Sequence, residues 1–515
     1  MSNSSPEFEI ESKNPWLEAK RALLLAPRML RFVFLISFFV SFGLTSGGSV
    51  MVPFFSDEFG YTDVEANTLR AMMVVSYVVL SLLTGLIFDR IGMRNSFIVG
   101  GLLGVAGSIL LTLAWDKEIL VMTTVIVIPL SMAFMSPIVN IALNRLSFEA
   151  NRRVIFVVAY LISNIGAALG LDFVDFIRER FVNLTSAPLY HDHQATAARI
   201  IFLVGAMSTL LASVIAAFGI EDIYVDAKGG VNKFKRVEAQ HSKTESVRAC
   251  CGCVVCEPNF KALAVFSFIM SPVMKLFSYW DNTFPKAATR ELGDQAMFGS
   301  VKSVNAWMIV LLLIPHSHFT KRFSPMNKMI FGSLAAALSM LILCANASYT
   351  TYITAIVLFT LFGEMLFSPT ANDFSTKFFV KGHEGIYSSL TGLYLVVPNF
   401  LGDVFSGWLL STYCPREGER HCWMMWLIAG LSALITPLGL LLARKYLLKR
   451  LARKHGTDDI ELTTGSAATD ISEFTSVGAS GANSGSVTFK IRDDLEADRA
   501  NDDNDDIAFT PTVKK

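Results

Sequence analysis

Long apolar runs separated by short polar stretches set the pattern of this chain. A bilayer core of about 30 Å needs about 20 apolar residues in a helix. Read at that length, the sequence gives runs near 31–54, 69–88, 95–115, 118–143, 154–176 and 200–220. Six more lie near 260–281, 298–315, 327–345, 351–372, 386–410 and 422–443. The pattern predicts an all-α membrane protein with twelve transmembrane helices. A polar stretch, 221–259, divides them into two six-helix halves, 31–220 and 260–446. An N-terminal segment, 1–30, and a tail, 447–515, complete the expected organisation.

An even number of spans puts both ends of the chain on one side. Lys and Arg in the short loops choose the side. With an inner N-terminus, the inner loops and the central stretch hold seventeen of them against about ten outside. Both termini are therefore expected to be cytoplasmic. The sequons "NLT" at Asn183 and "NAS" at Asn346 fall in predicted outer loops, where glycosylation occurs. Cys414 and Cys422 flank the outer loop "CPREGERHC". An oxidising exterior would allow a disulfide there; two free thiols are the other reading, and both stay open. The expected location is the plasma membrane or an endolysosomal or vacuolar membrane.

Composition agrees with the runs. Of 515 residues, 52% are hydrophobic and 17% charged, with mean hydropathy +0.47. A soluble chain would carry about 25% charged residues. Formal net charge is zero, so a nucleic-acid partner is not expected. The first thirty residues contain acids, and the run after them exceeds a signal-peptide core, so no secretory signal is read. "WLEAKRALLLAPRMLRF" fits a basic amphipathic surface helix or a plain cytosolic lead-in. No His-Glu-x-x-His, Gly-x-Ser-x-Gly or phosphate-binding loop is present, so neither an enzyme nor a cofactor is expected.

The central stretch carries Cys250, Cys251, Cys253 and Cys256 just before span seven. A zinc site needs two properly spaced pairs, so no metal is expected. Juxtamembrane position fits acylation better; inert thiols, and behind them a metal or redox role, remain the alternatives. The tail segment "RDDLEADRANDDNDD" cannot bury enough apolar surface to fold, and disorder is expected there.

Between spans two and three the chain reads "GLIFDRIGMRN", with Gly85, Asp89, Arg90, Gly92 and Arg94 in place. This resembles the loop of the major facilitator superfamily, Gly-x-Leu-Ala-Asp-Arg-x-Gly-Arg-Lys. Met93 departs where that family often has Arg. The resemblance covers about residues 30–446. "FTKRFSP", 319–325, is a degenerate second copy between spans eight and nine. The resemblance implies two six-helix halves that rock about a central site. It also implies that this loop braces the halves as a cytoplasmic gate, with Arg145 a candidate partner for Asp89.

Ionisable groups inside spans are costly and mark function. The first half shows few; its polar residues are Asn140 and Asn144 near the inner end of span four, while Asn164 with Gly166 and Gly170 in span five reads mainly as helix packing. Asp172 and Asp175 near the outer end of span five read as solvated. The second half has Lys275 and Asp281 in span seven, Lys302 opening span eight, and Asp403 with Asn399 in span eleven. Glu364 lies near the middle of span ten, where a carboxylate can gain and lose a proton as the site changes exposure. "GEMLFSP" around it resembles a piece of proton-coupled peptide transporters. Their span-one signature Glu-x-x-Glu-Arg is absent, as is the Gly-Pro-x-x-Gly-Gly of drug antiporters.

These residues predict a secondary active transporter of a small polar or amphipathic solute, with proton coupling through Glu364 left open. The pathway would hold Glu364, Lys275, Asp281, Asp403 and Asn140, with Thr45 and Ser46. An uncoupled carrier, or a non-transporting receptor or scaffold of the same fold, is the alternative. Expected partners are a small-molecule substrate and the lipid bilayer, with protons as the coupling ion left open. The chain is expected to act as a monomer.

Overall fold

The computed structural model describes residues 24, 27–147, 149–181, 188–190, 193–225, 231–233, 258–378 and 400–455. Asn183, Asn399, the four central cysteines and the tail from 456 lie outside the described residues. Span one is Met29–Phe59. Asp63–Leu113 is helical throughout except at Gly92, giving span two and then span three, Ile91–Leu113. Spans four, five and six are Lys117–Arg145, Glu149–Phe181 and Ala197–Gly219. The second half has span seven, Asn259–Leu292, span eight, Phe298–Phe319, and span nine, Pro325–Ile342. Span ten is Tyr349–Ser375, the described part of span eleven is 400–413, and span twelve is Cys422–Leu451. Ten of these helices, among the described residues, are long and apolar enough to cross a membrane. The protein is an all-α, multi-pass membrane protein. Two short ribbons, Pro188–Tyr190 with His193–Gln194 and Ile223–Val225 with Val231–Lys233, were not expected.

The helix starts follow from polar caps. The first N–H groups of a helix lack partners within it and take side-chain oxygens instead. Thr62 and Glu65 form a reciprocal capping box at span two. Asp116, Thr196 and Ser348 cap spans four, six and ten. All four begin at the end where span one finishes, called the far end below. The near end is where span one starts.

Three spans widen into a π-helical turn: Thr123–Val127, Tyr279–Thr283 and Phe359–Glu364. The first two stop two residues before Pro129 and Pro285. A proline lacks the N–H and crowds the carbonyl four residues back, so the helix relaxes into a wider turn. The turns in spans seven and ten carry Asp281 and Glu364.

The halves are joined toward the far end. Asp63, at the start of span two, receives Lys286 at 2.6 Å and both terminal nitrogens of Arg290, at 2.7 and 2.9 Å, from span seven. Lys286 also donates to Ser56 of span one. Asp175 of span five accepts the backbone N–H groups of Gly299 (3.1 Å) and Ser300 (2.6 Å) at the start of span eight. Asp172 accepts the Trp307 indole N–H at 3.1 Å. The reading of Asp172 and Asp175 as solvated is thus corrected: Asp175 is 5% exposed and caps a helix of the other half. Glycines allow the close crossings. Gly299 packs against the Leu171 carbonyl, and Gly407 of span eleven against the Asp63 carbonyl.

At the near end the "GLIFDRIGMRN" stretch is not the turn its two glycines promise. Span two continues as helix through Gly85, Asp89 and Arg90, and the chain breaks only at Gly92, with φ 84°. The side chains of Asp89 and Arg90 lie outside what the structure describes. Beyond the break, the Met93 N–H donates to the Asp222 carboxylate at 2.6 Å, and Arg94 donates to the Ala217 carbonyl. The first residues of the central stretch therefore fold back onto the start of span three.

Candidate functional site

Span two places Arg70 seven residues after Asp63, about 10 Å along the helix at 1.5 Å per residue. Its Nε donates to Oδ1 of Asn282 in span seven at 3.4 Å, which crosses the boundary between the halves. Asn282 in turn donates to the Ser278 hydroxyl at 3.0 Å, and Ser278 donates to Asp403 of span eleven. One polar chain thus runs from the first half through span seven to span eleven. Lys275, Ser278 and Asn282 share a face because they are three, four and seven residues apart.

Asp281 pairs with Lys302 of span eight at 2.9 Å. The Asp281 side chain is 61% exposed while Lys302 is 7%. The electrostatic neighbours of Asp281 are Arg70, Glu364 and Asp403, from spans two, ten and eleven. Its open side therefore faces the inside of the bundle, where an intramembrane charge is tolerated.

Glu364 accepts the Asn305 amide at 2.6 Å, and the same amide reaches Thr360 at 2.8 Å. Asn305 lies three residues after Lys302 and Thr360 four before Glu364, so helical spacing aligns each pair. Tyr160 of span five is a further neighbour of Glu364. Lys275 and Glu364, both charges in apolar spans, do not pair with each other. Lys275 lies along Gly402, and its acidic neighbour is Asp403. Together the cluster holds Arg70, Lys275 and Lys302 against Asp281, Glu364 and Asp403.

Other expected lining residues are placed elsewhere. Ser46 is buried and donates to the Phe42 carbonyl of its own helix at 2.8 Å. Asn140 is exposed near the near end of span four, and among the described residues no hydrogen bond or ion pair joins it to the cluster. Cys414 and Cys422 are disulfide-bonded, and the Cys414 carbonyl accepts from Arg290 at 2.6 Å. Asn346 is exposed in the loop between spans nine and ten. Arg70 was missed because the apolar window opens at residue 69, which makes it a loop-edge cation. The capping box at Thr62 and Glu65 was the signal that puts it two turns inside the helix.

Fold and site define a multi-pass, all-α membrane protein built of two halves. The Major Facilitator Superfamily model matches residues 2–171. An uncharacterized MFS-type transporter, YqjV of Bacillus subtilis (strain 168), is 23% identical over 165 residues, 31% of this chain and 39% of that protein. The multidrug transporter protein MdtP of the same organism is 30% identical over 166 residues, 32% of this chain and 30% of that one. The match thus spans well under half the length of these relatives. A POT family transporter solved with 5-aminolevulinic acid superposes with TM-score 0.63 at 16% identity, covering 82% of this chain and 97% of that one. The nucleoside transporter NupG gives TM-score 0.58 at 12% identity, covering 81% and 99%. At such identities the likeness is one of fold. Over its first third the chain matches the Major Facilitator Superfamily model, and over about 82% of its length it shares the fold of these solved transporters.

Proposed function

We propose that this transporter is a secondary carrier that moves a small polar or amphipathic solute by alternating access. The observation that carries the reading is the polar chain Arg70–Asn282–Ser278–Asp403, which ties the two halves together inside the bundle. A group that must be shared between two rocking halves is suited to binding a solute in one state and releasing it in another. The far end, sealed by Asp63 with Lys286 and Arg290, is taken as the outside, following the Lys and Arg bias of the loops. Closure there corresponds to a site that opens toward the cytoplasm. POT family and nucleoside transporters share the fold, and 5-aminolevulinic acid is bound by one of the former.

Glu364 is the proposed proton carrier. It is hydrogen-bonded to the neutral Asn305 rather than ion-paired, so its charge is not locked by a fixed cation. The test is uptake into vesicles reconstituted with the full chain, with and without an imposed proton gradient. Wild-type uptake is expected to accelerate with inward-directed protons, and Glu364→Gln to lose that acceleration while remaining folded. Acceleration that survives in Glu364→Gln removes the residue from coupling, and uptake indifferent to the gradient in the wild type makes the protein an uncoupled carrier.

A further inference from the structure

Resting on the carrier reading above, we propose that Arg70 is the anchor for a carboxylate of the transported solute, held in a cleft inside the first half. The cleft has a volume of about 130 Å³ and is lined by Arg70, Gly47, Gly48, Met51 and Met73, with spans three, four and six behind them. Such a space admits on the order of ten water molecules or one small organic acid.

Arg70 differs from five other cations held inside the fold. Arg178, Arg199, Lys286, Arg290 and Lys302 each have a carboxylate within 4 Å. Among the described residues Arg70 has none. Its NH1 meets the sulfur of Met73 at 3.2 Å and that of Met51 at 4.0 Å, and thioethers are weak acceptors. Its bond to Asn282 is long for a hydrogen bond. Asp281 and Asp403 act on it only across a greater distance. A guanidinium has five N–H donors in a planar fork that matches a carboxylate in two parallel bonds. Most of that capacity is unspent here, in a region where leaving a charge unpaired is costly.

The walls suit an incoming ligand. A Cβ added at Gly48 would lie 3.6 Å from NH2 of Arg70, so the glycine keeps side-chain bulk away from that edge of the fork. The same guanidinium bonds Asn282 of the second half. A carboxylate on Arg70 would therefore bear on the link between the halves, which gives the solute a direct effect on their relative movement.

The balance of charge points the same way. Three cations and three acids share the site. When one acid takes a proton, a positive charge is left over, and a bound monocarboxylate restores neutrality. A neutral solute could not do this.

The test uses the full chain in detergent and matched acid–amide pairs: lactate with lactamide and phenylacetate with phenylacetamide. Binding is read as a shift in melting temperature and then as uptake into vesicles. At least one acid is expected to stabilise the wild type while its amide does not. Arg70→Gln is expected to weaken binding of that acid by about tenfold or more, the loss of a charged hydrogen-bond pair. Should Arg70→Gln fail to fold, Arg70→Lys serves, retaining acid selectivity with a smaller shift because the two-pronged contact is gone. Equal response to acid and amide overturns the proposal. So does an acid response that survives in Arg70→Gln, or no response to any acid of the set. In those cases uptake of uncharged solutes would leave the carrier reading intact, whereas a wild type that carries no solute at all would strike the carrier reading itself.

Discussion

Arg290 grips Asp63 across the boundary between the two halves through two parallel hydrogen bonds, and Lys286 completes the coordination from the turn before it. All three side chains are buried, at 9% exposure for Asp63, 5% for Lys286 and 10% for Arg290. One acid therefore answers two cations, and both cations line a space of about 500 Å³ between the halves. The arrangement is fully used only when the far end is closed.

Asp63→Asn leaves two buried cations without their anion. Breaking a buried pair in this way costs about 3–5 kcal/mol. In a two-state carrier that cost falls mainly on the closed far end, so the population moves toward the far-end-open state. A cysteine placed at Ser56, in a background lacking Cys344, is expected to react faster with a membrane-impermeant maleimide in Asp63→Asn than in the otherwise wild-type chain. An unchanged labelling rate would mean that the ion cluster does not hold the gate. By contrast, the exposed Arg416–Asp57 pair is a poor gate element, and Arg416→Ala is expected to change labelling little.

Gly407→Ala acts on the same gate without touching charge. The new Cβ would lie 2.7 Å from the Asp63 carbonyl oxygen, a backbone atom that cannot swing aside. Spans two and eleven must separate locally, which carries Asp63 away from Arg290. Transport is expected to fall severalfold with the protein still monodisperse, and the Ser56 cysteine to become more reactive. Wild-type uptake in Gly407→Ala would show that the close crossing is not needed for closure.

Much of this was legible in the sequence because the signals are local. Twenty apolar residues in a row identify a span wherever they occur, and the Gly-Asp-Arg-Gly pattern between two of them is specific. Glu364, Lys275, Asp281, Lys302 and Asp403 stood out as charges in apolar surroundings, and all five are in one cluster. What the sequence hid were pairings between residues far apart in the chain. Asp175 read as a wet acid because its partner, the start of span eight, is more than a hundred residues away. Lys275 and Glu364 were natural partners by charge alone, but the packing of span seven on span eleven gives Lys275 to Asp403. Asn282, Ser278 and Asn305 carry no charge and raised no signal until the helices were set side by side.

Asp222 offers a test of the near end. It accepts the Met93 N–H at the first turn of span three, where a carboxylate also meets the positive end of the helix dipole. Asp222→Ala is expected to cost about 1 kcal/mol, the usual loss on removing such a cap. Gly92→Ala is expected to cost more, because φ 84° disfavours any Cβ and the added atom would overlap the Asp222 carboxylate. In the double variant the overlap is gone, so the two losses should sum to more than the measured total. Thermal melting of the four proteins in one detergent decides it; strict additivity would mean that the two residues do not meet.

The three-to-three charge balance of the central site makes a further demand. If one proton on Glu364 accompanies one monocarboxylate on Arg70, the loaded site carries the same net charge as the empty one. The loaded and empty carriers then cross the same field with the same charge, and the cycle moves none. An elementary charge crossing the bilayer is worth about 2.3 kcal/mol per 100 mV, so a carrier that moves one is strongly driven by potential. Uptake of a carboxylate probe by the wild type is therefore expected to respond to a pH gradient and to ignore a potassium diffusion potential of either sign. Glu364→Gln, which cannot lose a proton, holds one surplus positive charge at every pH. It should bind the acid at least as well as the wild type at high pH, yet no longer respond to the gradient. Potential-driven uptake in the wild type would contradict the one-to-one balance, whatever the solute.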